Sequence, residues 1–174
     1  MSTLKIPVTE ADHIQGSATA PITLVEYGDY QCPYCGAAHP ILKRLQGKFG
    51  DELRFVFRNF PIAQSHPEAV SAATAAELAS DLGDFWPVHD ALYEHQGSLG
   101  RPYYVALFVS RDLPVDRLHD ALANNAYEAR LLDDFEGGVR SGVNGTPTLF
   151  INGQRYDRGI DFDSLMEALQ ASRR

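Results

Sequence analysis

The chain has two cysteines, Cys32 and Cys35, and they lie close together in the sequence Cys-Pro-Tyr-Cys. A disulfide scaffold carries several cysteines spread along the chain, so this pair does not predict one. A bridge across so short a loop removes little entropy from the unfolded chain, which makes it a weak structural staple. The pair therefore indicates thiol chemistry rather than stabilisation.

The cysteine pair lies between a predicted strand and a predicted helix. The apolar run at 21–28 predicts a buried strand, and the apolar spacing at 33–49 predicts a helix with a proline in its first turn. Cys32 then lies at the helix N-terminus, where free N–H groups and the helix dipole lower the thiol pKa below its free value of about 8.5. Cys35 lies one turn further along the same face and is the expected resolving cysteine.

The rest of the chain predicts one mixed sheet with a helical block. A second strand is predicted at 53–59, where Arg54 and Arg58 alternate with apolar residues and indicate a wetter face. The segment from about 65 to 142 contains helical patterns and no convincing strand. Two short β-rich runs flank Asn152-Gly153, the strongest short hairpin signal, and a final helix follows.

This order predicts an α/β fold: a mixed sheet flanked by helices, with an inserted all-helical subdomain. The chain of 174 residues is expected to form a single domain. The expected boundaries are a core at about 1–61 and 143–174 and a helical insertion at about 62–142.

Composition narrows the function classes. Hydrophobic residues make up 44% and charged residues 22%, as in ordinary globular proteins. No apolar run approaches the ~18–20 residues of a membrane helix. The net charge of −8 argues against nucleic-acid or membrane partners. The N-terminal residues show no secretory signal, so a cytoplasmic location is expected unless an export signal has been removed.

The residues around the cysteines resemble a known family. Residues 26–35, together with Gly145-Thr146-Pro147-Thr148, resemble the thioredoxin superfamily. The Cys-Pro-Tyr-Cys sequence, the helical block and the Phe60-Pro61 turn are more similar to its DsbA-like branch. The resemblance covers nearly the whole chain from about His13. It implies a thioredoxin core with a helical insertion, and thiol-disulfide oxidoreductase activity.

The resemblance also implies roles for a distant proline loop. It implies that the Thr146–Pro147 bond is cis, that this loop faces the two cysteines, and that Thr146 pairs with the backbone of a bound substrate. Taken alone, a proline that opens a strand is ordinary, because that position donates no ladder hydrogen bond.

Glu26 is a candidate proton acceptor. The strand period of two places it on the face of Ile22 and Leu24, where burial raises a carboxyl pKa. Such a group can take the proton of Cys35 during resolution. The alternative is a carboxylate at the end of the sheet that caps a local backbone group.

Three further residues are expected near substrate. Pro33 and Tyr34 lie between the cysteines and tune them, and Tyr30 is expected to flank them and shape a peptide groove. The strongly oxidising DsbA proteins resemble this motif but carry His where Tyr34 stands. Since Tyr34 is neutral at pH 7, this chain is expected to be less oxidising.

A zinc site is the alternative use of the cysteines. His39 lies four residues after Cys35 and could be a third ligand, but a closed structural site needs about four ligands and there is no second cysteine pair. His39 is instead expected on an exposed helix face. No cofactor and no metal are predicted.

The expected partners are protein thiols or disulfides, with glutathione or a reductase as the external redox partner. Two other functions stay open at this point. A peptide-binding module on this fold would not need Cys32 for its function. A glutathione-dependent isomerase or transferase on a related fold would not need Cys35.

Overall fold

The structure, a computed structural model, describes residues 2–173 and contains one five-stranded mixed sheet in the order β1-β3-β2-β4-β5. The strands are β1 (His13–Gln15), β2 (Ile22–Gly28), β3 (Leu53–Asn59), β4 (Thr148–Ile151) and β5 (Gln154–Tyr156). The helices are α1 (Pro33–Phe49), α2 (Ala69–Asp81), α3 (Phe85–Glu94), α4 (Arg101–Ser110), α5 (Val115–Asn124), α6 (Glu128–Arg140) and α7 (Phe162–Ala171). Two short 3-10 helices, Gly50–Glu52 and Gln96–Ser98, follow α1 and α3.

β2 lies in the middle of the sheet, parallel to β3 and antiparallel to β4. Its side chains alternate between two cores: Ile22 and Leu24 join the larger one, and Val25 and Tyr27 join the smaller one on the opposite face. The predicted β-α-β order of β2, α1 and β3 is confirmed. The C-terminal hairpin is confirmed too, and Asn152-Gly153 turns it with positive φ at both residues.

The sequence did not predict β1, which pairs antiparallel with β3 at the edge of the sheet. Its His13 ring stacks on Phe85 at 3.7 Å between centroids and shares a 2.7 Å hydrogen bond with Glu77. The prediction of a wet face at Arg58 was wrong. The Arg58 guanidinium is buried and forms a two-bond pair with Asp12, because the N-terminal segment covers that side of β3.

Helices α2 to α6 all lie between β3 and β4 in the chain. The larger core runs from the sheet through α1 into α2, α3 and α4, so these helices share apolar packing with the cysteine-bearing helix. Within the described part of the chain, no helix combines the length and the hydropathy needed to cross a bilayer.

Candidate active site

Cys32 lies at the N-terminus of α1, directly after the loop that leaves β2. Its backbone N–H donates to the carbonyl of Asp29 at 3.1 Å, and its own carbonyl accepts from Gly36 at 3.0 Å. The side chain of Gln96 donates from Nε2 to the carbonyls of Tyr30 at 2.8 Å and Cys32 at 2.9 Å. The loop is therefore held from the helical block as well as from its own helix.

Asp29 anchors the same loop from the other side. Its buried carboxylate accepts from the backbone N–H of Gln31 and of Ile62, each at 2.8 Å, and lies 2.7 Å from Nδ1 of His66. These contacts join the end of β2 to the segment that follows β3. They hold the backbone that presents Cys32.

The two cysteines differ in their environments. The Cys35 side chain, which donates a hydrogen bond toward the Cys32 sulfur, is the main cause that lowers the pKa of Cys32 to about 5, with backbone N–H groups at the helix start adding to it. Burial raises the pKa of Cys35 above its usual range. Cys32 thus carries the negative charge, and Cys35 stays protonated as its donor.

The loop before β4 faces Cys32. The Thr146–Pro147 peptide bond is cis, and the Cys32 sulfur lies 3.4 Å from the Thr146 carbonyl oxygen. The Thr148 hydroxyl donates to the Gly145 carbonyl at 2.7 Å, which fixes the shape of this loop. The structure therefore brings Thr146 and Pro147 together with the cysteines.

Glu26 lies under the cysteines inside the larger core. Its side chain is 2% exposed, and burial raises its pKa to about 8, with the nearby negative charge of Cys32 as the second cause. Its Oε1 atom is buried without a hydrogen-bond partner among residues 2–173, and so is the hydroxyl of Tyr93. Both atoms lie beside the Cα of Gly28, where a methyl group would come within 2.6 Å of the hydroxyl and 3.1 Å of Oε1.

Three predicted substrate residues have different positions. Pro33 is exposed and Tyr34 is 76% exposed, so both present surface beside Cys32. The prediction that Tyr30 lines a peptide groove was wrong. Its side chain is 1% exposed, and its hydroxyl shares a 2.8 Å hydrogen bond with Nδ1 of His89, so it supports the loop from within the core.

The prediction that His39 lies on an exposed helix face was also wrong. It is 6% exposed, because α1 packs that side against α3. Among the described residues, the group of side chains spaced to hold a metal ion is His39, His89 and Asp90, which includes neither cysteine.

Sequence reasoning missed Gln96, Asp29 and Tyr93. Gln96 and Tyr93 come from the helical block, about sixty residues from the cysteines, and nothing in their local pattern marks them. Asp29 had a signal, because an acidic residue directly after a buried strand commonly accepts backbone N–H groups in the following turn.

Comparisons with known proteins fit this arrangement. A family model described as thioredoxin matches residues 8–171. The chain is 42% identical over 171 residues to the Na(+)/H(+) antiporter NhaA 1 of Salinispora arenicola; the match covers 97% of this chain and 26% of that protein. The chain thus spans about a quarter of the length of the curated relatives that it matches.

Two solved structures are similar to the fold. Oxidised BdbD from Bacillus subtilis superimposes with a TM-score of 0.87 at 24% identity, over 98% of this chain and 97% of that one. Alpha-DsbA1 from Wolbachia pipientis superimposes with a TM-score of 0.81 at 17% identity, over 97% and 93%. The chain has the DsbA-like form of the thioredoxin fold, and it belongs to the thioredoxin family.

Proposed function

We propose that this protein is a dithiol-disulfide oxidoreductase that exchanges a reversible Cys32–Cys35 disulfide with protein or small-thiol partners. The observation that carries the proposal is the position of Cys32 at the start of α1 beside Cys35, with its pKa lowered to about 5. Cys32 is then a thiolate at neutral pH, and the thiolate is the attacking species in disulfide exchange.

In the reductive direction, the Cys32 thiolate attacks one sulfur of a substrate disulfide. A mixed disulfide forms at Cys32, and the other substrate sulfur leaves as a thiolate. Cys35 then loses its proton and attacks the Cys32 sulfur, which releases the second substrate thiolate and leaves the Cys32–Cys35 disulfide. Two electrons pass to the substrate, and the reverse sequence oxidises a substrate dithiol.

Glu26 is the proposed acceptor of the Cys35 proton. The negative charge of Cys32 helps to raise the pKa of Glu26. That charge disappears when Cys32 enters the mixed disulfide, so the carboxylate becomes more populated at the step that needs a base. Burial keeps the pKa of Cys35 high, which makes a nearby base useful.

The proposed substrate surface includes Thr146 and Pro147 with Pro33 and Tyr34. Thr146 holds an extended partner chain through its backbone, while the exposed Tyr34 ring contacts the partner beside the reacting sulfur. Protein disulfides or dithiols are the proposed substrates, and glutathione or a reductase resets the pair. Antiporter activity is not part of the proposal, since the match covers only 26% of the relative bearing that name.

The pKa of Cys32 sets an expected redox poise. Nucleophilic cysteine pKa values are about 7 in thioredoxin and about 3.5 in DsbA, and their potentials are about −270 mV and about −120 mV. A value of about 5 lies between them, so we expect an intermediate potential. A cytoplasmic site of action stays a prediction; a potential near that of the glutathione pool would favour it, and a clearly more oxidising one would favour an exported disulfide donor.

The test combines two measurements. The protein is equilibrated in glutathione buffers of stepped potential, and the Cys32–Cys35 pair is read by mass after thiol trapping. Cys35→Ser is then expected to accumulate mixed disulfides with partner proteins, and Cys32→Ser is the matched variant that accumulates none. The proposal fails if no reversible bridge forms.

The same variants separate the alternatives. A peptide-binding module would keep its function in Cys32→Ser. A glutathione-dependent isomerase would keep turning over in Cys35→Ser instead of stalling as a mixed disulfide.

A further inference from the structure

Helices α1 and α3 bring together polar side chains that the thiol chemistry does not use. His39 of α1 is buried, and its Nε2 atom has no hydrogen-bond partner among residues 2–173. Oδ1 of Asp90, on α3, is buried and unpartnered in the same way. These two atoms lie 3.8 Å apart, and Oε1 of Glu94, one turn further along α3, lies 3.6 Å from the same Nε2.

These separations are too long for hydrogen bonds and short enough for a shared ion. Zinc lies about 2.0–2.2 Å from imidazole nitrogen and carboxylate oxygen, so a tetrahedral ion holds its ligand atoms about 3.3–3.6 Å apart. The separations of 3.6 Å and 3.8 Å are close to that spacing. An ion between these atoms would satisfy two buried polar atoms that otherwise have no partner.

His89 adds a second imidazole to the group. One of its ring nitrogens lies within 4.8 Å of the ligand atoms of His39 and Asp90, close enough for a side-chain adjustment to bring it to an ion held between them. Its Nδ1 shares a hydrogen bond with the Tyr30 hydroxyl at 2.8 Å, which leaves Nε2 for a ligand. A ring nitrogen fixed in this way by a buried partner is the usual support of a metal-bound histidine.

Lys43 and Glu94 form the solvent side of the group. The Lys43 ammonium lies 3.1 Å from Oδ2 of Asp90, on the carboxylate oxygen that is not directed at His39. The Glu94 side chain is more than half exposed, so this carboxylate faces solvent at the rim of the group. Burial lowers the pKa of His39 and of His89, so both rings are neutral and able to bind a metal at neutral pH.

We propose that His39, His89 and Asp90 form a binding site for a divalent transition-metal ion, with Glu94 as the fourth ligand at its rim. Two imidazoles and two carboxylates suit Zn²⁺, and also Co²⁺ as its spectroscopic substitute. The site does not involve the cysteines, so metal binding can be confirmed or refuted independently of the proposed redox function. It would clamp α1, which carries both cysteines, to α3.

The test uses the protein in its Cys32–Cys35 disulfide form, so that thiolates cannot bind the metal. Co²⁺ is titrated while its visible absorption is recorded, and Zn²⁺ affinity is measured by competition with a chromophoric chelator. We expect one ion per chain, with visible cobalt bands and without the near-ultraviolet band of a thiolate ligand.

Variants assign the ligands. His39→Gln and Asp90→Asn are each expected to weaken Zn²⁺ binding by about tenfold or more. Lys43→Met is expected to strengthen binding, since it removes a positive charge beside Asp90 while keeping an apolar stem. His119→Gln alters a histidine outside the group and should leave the affinity unchanged.

Three results would overturn the proposal. The first is no Zn²⁺ binding by the folded disulfide form up to millimolar metal. The second is equal affinity in the parent protein and in Asp90→Asn, a variant that should fold because its side chain is partly exposed. The third is weaker binding in Lys43→Met. Circular dichroism of each variant checks that the fold is retained.

Discussion

Replacing the buried Glu26 with glutamine should change how stability depends on pH. Burial raises the pKa of Glu26 from 4.5 to about 8 in the folded protein, whereas the unfolded chain keeps the ordinary value. Between these two pH values the unfolded state releases a proton that the folded state retains. The free energy of unfolding of the parent protein therefore falls as the pH rises through this window, and it levels off above about 8.

The magnitude follows from the same interval. At about 1.36 kcal/mol per pH unit, the window from 4.5 to about 8 corresponds to about 5 kcal/mol. Glutamine does not titrate, so the free energy of unfolding of Glu26→Gln should lack this decrease with pH. The stability of the variant relative to the parent should rise by up to about 5 kcal/mol across the window, whatever the fixed effect of the amide at acidic pH.

Urea denaturation at stepped pH from 4 to about 9 measures this difference, in both the reduced and the disulfide forms. The difference should persist in the disulfide form, because burial is the larger cause of the raised pKa and the Cys32 charge the smaller one. Glu77→Gln is the matched control at another buried carboxyl. Burial opposes ionisation of Glu77, but the hydrogen bond and charge of His13, together with Arg130 and Asn59, outweigh it and lower the pKa. The stability of Glu77→Gln relative to the parent should therefore fall as the pH rises toward 4.5 and stay level from about 5 to 8, where the Glu26→Gln difference grows.

Parallel stability curves for Glu26→Gln and the parent protein would refute the reasoning. They would mean that Glu26 ionises in the folded protein at its ordinary pKa, as a solvated carboxylate does. Glu26 would then no longer be a buried base matched to Cys35.

Three more changes are predictable. The rate of Cys32 alkylation should rise with pH around a midpoint near 5 and be flat above about 7; a midpoint near 8.5 would contradict the thiolate assignment. Gly28→Ala should cost about 1–3 kcal/mol of unfolding free energy, since its methyl group would lie 2.6 Å from a buried hydroxyl. The control Gly47→Ala, with open space around it, should gain about 0.5–1 kcal/mol. Equal changes in unfolding free energy for the two variants would exclude crowding at Gly28. Gln96→Ala should cost about 1–3 kcal/mol in urea denaturation, since two loop carbonyls lose their donor; an unchanged midpoint would show that water replaces it.

The parts of the fold that could be predicted are those with local signals. A short, mostly apolar run specified β2, and a proline followed by helical spacing specified α1 from Pro33 to Phe49. The Asn-Gly turn specified the hairpin of β4 and β5. In each case the residues that determine the conformation lie inside the element or directly beside it.

The errors concern burial by distant segments. Arg58 looked like a solvated position because its neighbours alternate, yet the N-terminal segment supplies Asp12 and backbone carbonyls that pair its guanidinium. His39 was expected on an exposed face of α1, yet α3 covers it. Local periodicity carries no information about which later helix packs on a face.

The residues of the candidate site differ in the same way: those in local motifs were predictable, and those supplied by a distant segment were not. The cysteines and the Thr-Pro pair were predictable because each belongs to a motif with a fixed spacing or a strong resemblance. Gln96 and Tyr93 were not, since they act by reaching the loop from a helical block more than sixty residues away. Tyr30 was correctly predicted to lie beside the cysteines, but its side chain is buried in the core and does not line the surface.

The helical block therefore does more than enlarge the protein. Gln96 holds the carbonyl of Cys32, Tyr93 lies beside the carboxyl of Glu26, and His89 holds Tyr30 two residues before the nucleophile. All three lie in α3 or in the turn after it, on the segment that packs against α1. A shift of α3 relative to α1 would thus alter the loop that presents the thiolate and the surroundings of the base together. Variants that loosen this helix pair should change the reactivity of Cys32 even though none of them contacts its sulfur.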